Sequence, residues 1–367
     1  MKKSHVFEWN TKDFQKELLK WYDKYRRELP WRAPKGRKAH PYHVWLSEIM
    51  LQQTTVPAVK SYFEKFTELY PDIHHLAQAP EEDILKHWAG LGYYARARNL
   101  HKCAKIISEV YGGNFPKTEI DLKKLPGIGD YTASAIIAIA FNKEAVVVDG
   151  NVERIIARLA RIREPLPKSK AIIKTIAASI YEDIGKKASD LPQSLMDLGS
   201  MVCTPKSPKC NICPISYFCE AKNHKDQEKY PVKAIKEAKP TRIGDVYWIE
   251  TTKGEILIEK RSTNRMLGGM MALPGTDWDK NNAESMGSSD ISLFKPDKKP
   301  SLIGEVRHSF THFHLILNVH KARVPIKNLI LKENQRLICI KDIDELGFPS
   351  LYKKVVKLAI SAEDKDE

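Results

Sequence analysis

Four cysteines in one 17-residue stretch constrain this chain more than any other feature. Cys203, Cys210, Cys213 and Cys219 follow the spacing C-x6-C-x2-C-x5-C and account for four of the six cysteines in the chain. Four soft thiolates on so short a segment can converge on one metal centre without help from distant parts of the fold. The spacing leaves zinc and iron-sulfur centres open, because zinc modules more often present two C-x2-C pairs and this segment has one.

Disulfide bonds are a poor alternative use of these cysteines. The N-terminal sequence MKKSHVFEWN is not followed by an apolar run and a cleavage site, so it does not resemble a secretory signal. A reducing compartment is therefore expected.

The charge of the chain favours a polyanionic partner. Its 367 residues carry 60 Lys and Arg against 46 Asp and Glu, which gives a net charge of +14. Such a field attracts nucleic acid, although a basic balance can also simply keep a surface hydrated. The chain has no apolar stretch of membrane-spanning length, and it is long enough for two or three compact domains.

The hydrophobic pattern changes period near residue 240. Before it, apolar residues recur at helical spacing, which predicts helices at 11–28, 43–53, 57–69, 81–88, 93–111, 130–141, 150–160, 168–184 and 190–202. Beyond it, short runs predict strands at 246–251, 255–260, 313–320 and 336–340. The lysine- and proline-containing segment 222–242 between the two parts resembles an exposed linker.

The segment LPGIGDYTASAIIAIAF, residues 125–141, predicts a tight turn that leads directly into an apolar helix. Leu125, Gly127 and Gly129 form the start of this turn, and its exposed backbone amides together with the helix dipole favour a phosphate oxygen. Taken alone, the segment could equally be an ordinary glycine turn between helices.

Several motifs in a fixed order resemble one enzyme family. They are LPW at 29–31, VWLSEIMLQQT at 44–54, GLGYYARARN at 90–99, LPGIGDYTA at 125–133, VDGNV at 148–152, the four cysteines, and RHSFTHFHL at 307–315. With these motifs the chain is similar to the adenine DNA glycosylases, the MutY family of the helix-hairpin-helix superfamily. The resemblance implies one four-iron, four-sulfur (4Fe-4S) cluster on the four cysteines. It also implies excision of adenine mispaired with 8-oxoguanine or guanine in double-stranded DNA.

The resemblance implies a multidomain architecture. We expect an all-α helix-hairpin-helix glycosylase region at 1–221, with a six-helix part at about 33–140 and a cluster part formed by 11–32 and 141–221. The linker 222–242 then leads to an α+β Nudix-like domain at 243–360 that recognises the lesion. A monomer in the bacterial cytoplasm, associated with the nucleoid, completes the expectation, although an organellar or nuclear setting fits the absent targeting segment as well.

Two carboxylates are the predicted catalytic pair. Glu48 lies in an apolar helical setting with Val44, Trp45 and Leu51, where desolvation keeps a proton on the carboxyl group and makes it a general acid. Asp149 precedes a helix that it can cap, and as a carboxylate it can stabilise positive charge on the sugar after the base departs. Both match family residues in these roles. Without the resemblance, Glu48 could be a surface glutamate on an amphipathic helix, and Asp149 could be an aspartate that only caps a helix.

Further site residues follow from the resemblance. Tyr131 occupies the position where a bifunctional relative carries lysine, so no Schiff base can form and strand cleavage is not expected. Asn151 matches a residue that arranges the site, and Arg32 one near the flipped adenine. Gln53 and Tyr93 match side chains that enter the duplex around the orphaned base.

The C-terminal part carries the predicted lesion contacts. Phe310, Thr311 and His312 match the loop that contacts the oxidised base, with threonine where many bacterial members have serine. The segment after LPG at 273–275 lacks the clustered glutamates that hold magnesium around a diphosphate, so nucleotide hydrolysis is not expected. In the helical part, Arg96 and Arg98 are candidates for phosphate contacts, although arginines on a helix face are more often hydrated.

Two other functions are compatible with parts of this pattern. One is an endonuclease III-like glycosylase for oxidised pyrimidines, which Tyr131 and the second domain disfavour. The other is a non-enzymatic lesion-binding module with a structural metal, which the presence of both Glu48 and Asp149 disfavours.

Overall fold

The computed structural model describes residues 10–234, 238–262, 265–278 and 299–362. The chain divides into two compact units. The first contains residues 1–78 and 99–236, and the second contains residues 79–98 and 237–367. The sequence predicted a boundary near the linker only, so the assignment of 79–98 to the second unit was not foreseen.

Helices dominate the described part of the chain before residue 234. Their bounds are α1 Thr11–Tyr25, α2 Pro41–Leu51, α3 Val56–Leu69, α4 Ile73–Gln78, α5 Glu81–Trp88, α6 Ala95–Val110, α7 Glu119–Leu122, α8 Asp130–Phe141, α9 Gly150–Leu159, α10 Lys170–Tyr181, α11 Asp190–Met201 and α12 Glu220–Asn223. No helix among the described residues has the length and apolar character that crossing a bilayer requires.

Two apolar helices form the centre of the first unit. In α2 and α8 most residues are buried, because both sequences are apolar on nearly every face. The two helices pack against each other, and α11 packs against α1, α8 and α9. This arrangement brings the polar residues of α2 and α8 into a low-dielectric interior.

The second unit is built on a six-stranded sheet in the order β3-β2-β1-β5-β4, with β6 also paired to β2. The strands are β1 Thr241–Thr251, β2 Glu255–Lys260, β3 Met271–Ala272, β4 Ser301–Ser309, β5 His314–Val324 and β6 Gln335–Cys339. Strands β1 and β5 are parallel, and the other pairs are antiparallel. The helix α13, Ser350–Ser361, packs on β4 and β5 and closes one apolar core with the sheet.

The segment predicted as an exposed linker is only partly exposed. Tyr230 is 5% exposed and packs with Ala157 and Ala221, and the backbone N–H of Leu166 donates to the carbonyl of Val232 at 2.9 Å. One aromatic anchor therefore attaches the first half of this lysine-rich segment to the first unit.

Candidate active site

The carboxyl group of Glu48 lies inside the first unit, on α2. The residue is only 7% exposed, and its Oε2 accepts a hydrogen bond from the Tyr131 hydroxyl on α8 at 2.8 Å. The pKa of Glu48 is raised to about 7: burial is the largest cause and the charge of Asp149 adds to the rise, while the Tyr131 hydrogen bond and the Arg32 charge oppose it. A carboxyl group with this pKa holds a proton at near-neutral pH and can donate it.

Asp149 occupies the N-cap of α9, as its position in the sequence predicted. Its Oδ1 accepts from the backbone N–H of Val152 at 2.8 Å, and its Oδ2 accepts from the Asn151 side-chain amide at 2.7 Å. Burial is the largest effect and raises the pKa of Asp149, while these two N–H donors oppose the rise. Because both donors bind the charged form, they offset part of the cost of burying a carboxylate here.

Two arginines of α9 connect this pair to the cysteine segment. Arg154 donates to Asn151 Oδ1 at 2.9 Å, to the Gly199 carbonyl at 2.7 Å and to the Cys203 carbonyl at 2.8 Å. Arg158, which is 1% exposed, donates to Cys203 Sγ at 3.3 Å. The orientation of Asn151 therefore depends, through Arg154, on the backbone of the first cysteine. Arg154 and Cys203 are 49 residues apart, and the sequence did not predict their contact.

The four cysteines fit an iron-sulfur cluster. The pKa of the Cys213 thiol is raised to about 12, with burial as the largest cause and the charges of Cys203, Cys219 and Cys210 adding to the rise. All four are soft ligands, and the buried Arg158 guanidinium offsets the negative charge of thiolates. The described residues contain no set of three or more His, Cys, Asp or Glu side chains placed to hold a single metal ion. A four-iron cluster is bound differently, by one thiolate on each iron.

A cavity of about 700 Å³ opens beside Glu48. Apolar side chains, among them Leu29, Trp31 and Val44, line it together with Glu48 and Arg32. Most of its charged lining residues are basic: Arg26, Arg27, Arg32, Lys35, Arg37, Lys38, Lys117, Lys143, Lys186 and Lys187. A cavity with apolar walls on one part, a proton donor and many basic lining residues can hold a flat heteroaromatic group attached to an anionic chain.

Arg32 is held in this cavity by a residue that the sequence did not single out. Its two terminal nitrogens donate to the two carboxylate oxygens of Asp197 on α11 at 2.6 and 2.8 Å. Arg27 donates to the same carboxylate through its backbone N–H and its Nε. A lone aspartate in the apolar run LMDLGSM, residues 195–201, was the available indication.

The glycine turn at 125–129 leads into α8 as predicted. Gly127 has φ +79°, a left-handed conformation that favours glycine, and an added Cβ would lie 3.1 Å from Cβ of Asn99. Gly129 is the N-cap of α8 and has open space around it, whereas Leu125 is 4% exposed. The backbone of the turn is thus available to an anion, and the leucine side chain anchors it.

Gln53 and Tyr93, the predicted duplex-entering residues, both have left-handed backbone conformations, with φ 57° and 49°. Such conformations are uncommon outside glycine and often occur at functional positions. Both side chains are exposed. Within the second unit, the Tyr93 hydroxyl lies 2.5 Å from the Thr311 hydroxyl.

The loop between β4 and β5 carries Phe310, Thr311 and His312. The backbone N–H of Phe310 donates to the Phe313 carbonyl at 2.9 Å and closes the turn. The Phe310 ring stacks on Trp278, with centroids 5.6 Å apart. Thr311 and His312 are exposed, so the aromatic contacts fix the loop while its two polar side chains face outward.

The prediction of phosphate contacts for Arg96 does not fit the structure. Its side chain is buried and donates to the carbonyls of Leu91 and Gly92, so it stabilises the turn before Tyr93. The Arg98 guanidinium donates to the Gly268 carbonyl in the same unit. The segment that lacks the Nudix glutamates spans residues 276–287, and its residues 279–287 lie outside the described residues.

Three family models match the chain. The HhH-GPD superfamily of base excision DNA repair proteins matches residues 46–181, the iron-sulfur binding domain of endonuclease III matches residues 203–219, and the NUDIX domain matches residues 245–358. These matches confirm the predicted fold class, and they confirm the 4Fe-4S cluster that the spacing alone left undecided. Cys203, Cys210, Cys213 and Cys219 are the residues that would hold it.

Curated relatives match along most of the chain. The adenine DNA glycosylase of Buchnera aphidicola (subsp. Acyrthosiphon pisum) is 35% identical, with 94% of this chain and 97% of the relative covered. The human adenine DNA glycosylase is 39% identical over 59% of this chain and 40% of its own length. A solved thermostable thymine-DNA glycosylase is 30% identical, covers 58% of this chain and 97% of its own, and superposes with a TM-score of 0.52.

Proposed function

Because the chain belongs to the adenine DNA glycosylase family, we propose that it removes adenine paired with 8-oxoguanine or guanine and leaves the strand uncut. It is a DNA N-glycosylase of base excision repair, an enzyme that hydrolyses the bond between a base and its deoxyribose. We propose three further points: which mispairs the enzyme acts on, that it leaves the strand uncut, and which residues take part.

The buried Glu48 carboxyl group is the observation that carries the proposal. Adenine is a poor leaving group as an anion, so a proton must reach the base before or during cleavage of the glycosidic bond. The pKa of Glu48, raised by burial to about 7, keeps that proton available. Glu48 also lines the cavity, where we place the flipped adenine with N7 toward the carboxyl group.

Asp149 is the proposed stabiliser of the sugar cation. Loss of the base leaves positive charge on the deoxyribose, and a carboxylate stabilises it electrostatically or through a transient covalent bond. The N–H donors from Val152 and Asn151 favour the ionised form of Asp149. Burial raises the pKa of both groups, but Asp149 accepts from two N–H donors and Glu48 from the Tyr131 hydroxyl. We therefore assign the anion to Asp149 and the acid to Glu48.

Tyr131 supports excision without strand cleavage. Its hydroxyl donates to Glu48, and a phenol cannot form a Schiff base with the opened sugar. The position that would carry the lysine of a bifunctional glycosylase therefore instead orients the carboxyl group of Glu48.

The second unit is the proposed reader of the base opposite adenine. Thr311 and His312 are exposed at the end of a loop fixed by the Phe310 and Trp278 stack, and Tyr93 lies within hydrogen-bond distance of Thr311. A hydroxyl can accept the N7 hydrogen that 8-oxoguanine has and guanine lacks. Thr311→Val keeps the shape and removes the hydroxyl, so the preference for 8-oxoguanine over guanine should fall, whereas an unchanged ratio of excision rates would remove Thr311 from this role.

The deciding experiment incubates the purified, cluster-containing protein with duplexes that carry adenine opposite 8-oxoguanine, guanine or thymine. We expect abasic sites, revealed as strand breaks only after alkali, opposite 8-oxoguanine and guanine. Strand breaks before alkali, or a protein–DNA adduct after borohydride reduction, would contradict the uncut strand. Intact adenine in every duplex would refute the function itself.

Two variants assign the catalytic roles, and a third is their control. Glu48→Gln and Asp149→Asn should each lower single-turnover excision by at least about 100-fold, because each removes a group that acts at the transition state. Both should still bind the mispaired duplex. Glu68→Gln, which removes an exposed carboxylate from α3, should excise at the wild-type rate.

A further inference from the structure

The carboxylate of Asp197 is completely buried between two arginines of the base cavity. Its side chain has 0% exposure, and the side chain of its partner Arg32 has 7%. Four N–H groups reach its two oxygens, two from Arg32 and two from Arg27. Every strong acceptor position of the carboxylate is therefore used.

The geometry of the Arg32 pair is the bidentate one. The two terminal nitrogens of Arg32 meet separate oxygens of Asp197 at 2.6 and 2.8 Å, and this fork arrangement fixes the plane of a guanidinium as well as its position. The backbone supports it, because the N–H of Arg32 donates to the Leu29 carbonyl at 2.9 Å. Arg32 has little freedom to move while the pair is intact.

The fixed guanidinium acts on Glu48. Arg32 and Glu48 line the same cavity, and the Arg32 charge is among the influences on the Glu48 carboxyl group. The other groups that act on Glu48 are Tyr131 from α8 and Asp149 at the start of α9. The negative charge of Asp197 offsets the positive charge of Arg32. It therefore limits how strongly Arg32 favours the ionised form of Glu48.

We propose that Asp197 is a positioning residue of the excision reaction: it holds Arg32 at the base cavity and moderates the effect of the Arg32 charge on the general acid Glu48. The role follows from the bidentate pair, its burial and its place in the cavity wall. It rests on the proposed function, since it concerns the same reaction.

Asp197→Asn tests this role because it keeps the size of the side chain and removes its charge. Single-turnover excision of adenine opposite 8-oxoguanine should fall by about 10- to 100-fold, the range expected when a group in a reaction site loses its fixed position. Affinity for the duplex should stay within about threefold, since Asp197 is buried and makes no surface contact. As the pH rises, the excision rate falls when Glu48 loses its proton. In Asp197→Asn this fall should begin at a lower pH than in the wild type, because the unopposed Arg32 charge favours ionised Glu48.

Asp226→Asn is the matched control. Asp226 forms an ion pair with another arginine, since its Oδ2 lies 2.8 Å from Nη2 of Arg161. The side chain of Asp226 is 9% exposed. It does not line the cavity, so its variant should keep the wild-type rate and pH profile. If Asp197 had a purely structural role, Asp197→Asn would lower the thermal stability but leave the rate and pH profile of the folded, cluster-containing protein unchanged, as in the control. That result would overturn the proposal.

The double variant Arg32→Gln with Asp197→Asn keeps the test decisive if Asp197→Asn does not fold. It removes the buried Arg32 together with its carboxylate partner, and only Arg27, whose side chain is 21% exposed and can reach water, loses a partner. It should therefore fold better than Asp197→Asn alone. It should bind the duplex and excise slowly, and a near-wild-type rate would overturn the role of the pair. Wild-type protein in the same assay separates the two claims: if it releases no adenine, the proposed function fails, and if it does, only the role of Asp197 is in question.

Discussion

Replacing Glu48 with glutamine should stabilise the protein increasingly as the pH rises. The wild-type carboxyl group has a pKa of about 7 in the folded state, where burial is the main cause, against an ordinary value of 4.5. Between these two pH values the unfolded chain has lost the proton that the folded protein still holds. Wild-type stability therefore falls as pH rises from about 4.5 to about 7, and the loss is complete above that range.

The size of the effect follows from the same two values. A difference of about 2.5 pH units, at about 1.36 kcal/mol for each unit, corresponds to about 3 kcal/mol. Glutamine has no charge to desolvate, and its side-chain oxygen can still accept from the Tyr131 hydroxyl. The stability advantage of Glu48→Gln over the wild type should thus grow by about 3 kcal/mol between about pH 4.5 and about pH 8.

Thermal unfolding at a series of pH values measures this difference. For a unit of this size about 3 kcal/mol corresponds to a shift of roughly 6–12 °C in melting temperature. Circular dichroism follows the helices, and visible absorbance shows that the cluster is retained. Glu68→Gln is the control for losing an exposed carboxylate. A melting-temperature difference between Glu48→Gln and wild type that stays constant with pH would refute the claim that Glu48 is a buried, protonated acid.

Two glycine substitutions test close approaches in the first unit. Gly199→Ala on α11 would place a Cβ 2.5 Å from Cβ of Asn151; because the clash is at the root of that side chain, we expect a loss of roughly 1–3 kcal/mol by overpacking. Displacement of Asn151 from Asp149 should also slow excision by at least about tenfold, and wild-type kinetics would show that the Asn151 contact is dispensable. Gly127→Ala forces an alanine into φ +79° beside Asn99, at a cost of roughly 1–2 kcal/mol. Duplex affinity in a fluorescence titration should fall several-fold, and an unchanged affinity would separate this turn from DNA binding.

Regular elements were predictable where their hydrophobic pattern was strong. Helix α8 and strand β2 have the bounds that the sequence predicted, 130–141 and 255–260. Strand β4 was missed because five of its nine residues are exposed, which removes the alternating pattern of a strand with one buried face. Helix α13 was missed although Leu351, Val355 and Ala359 recur every four residues and are buried.

The sequence singled out the principal residues of the candidate site but not the residues that support them. Glu48 and Asp149 stood out as a carboxylate in an apolar helix and an aspartate at a helix start. Asp197 has the same appearance as Glu48 in the sequence, but its partner Arg32 is 165 residues away. Periodicity identifies which face of a helix is buried and contains no information about which distant arginine meets a buried carboxylate. Ion pairs of this kind become visible only when the helices are packed.

Helix α11 explains why these supports occur together. Asp197 binds Arg32 at the base cavity, and two residues later the Gly199 carbonyl accepts from Arg154, which in turn donates to Asn151 beside Asp149. The same helix has its leucines buried against α1, α8 and α9, so it cannot shift without disturbing the core. Since both contacts are on one rigid element, Arg32 and Asp149 are fixed relative to each other, and in the proposed reaction so are the base and the carboxylate that stabilises the sugar cation. A transition state in which a proton arrives at the base while charge develops on the sugar requires that relation.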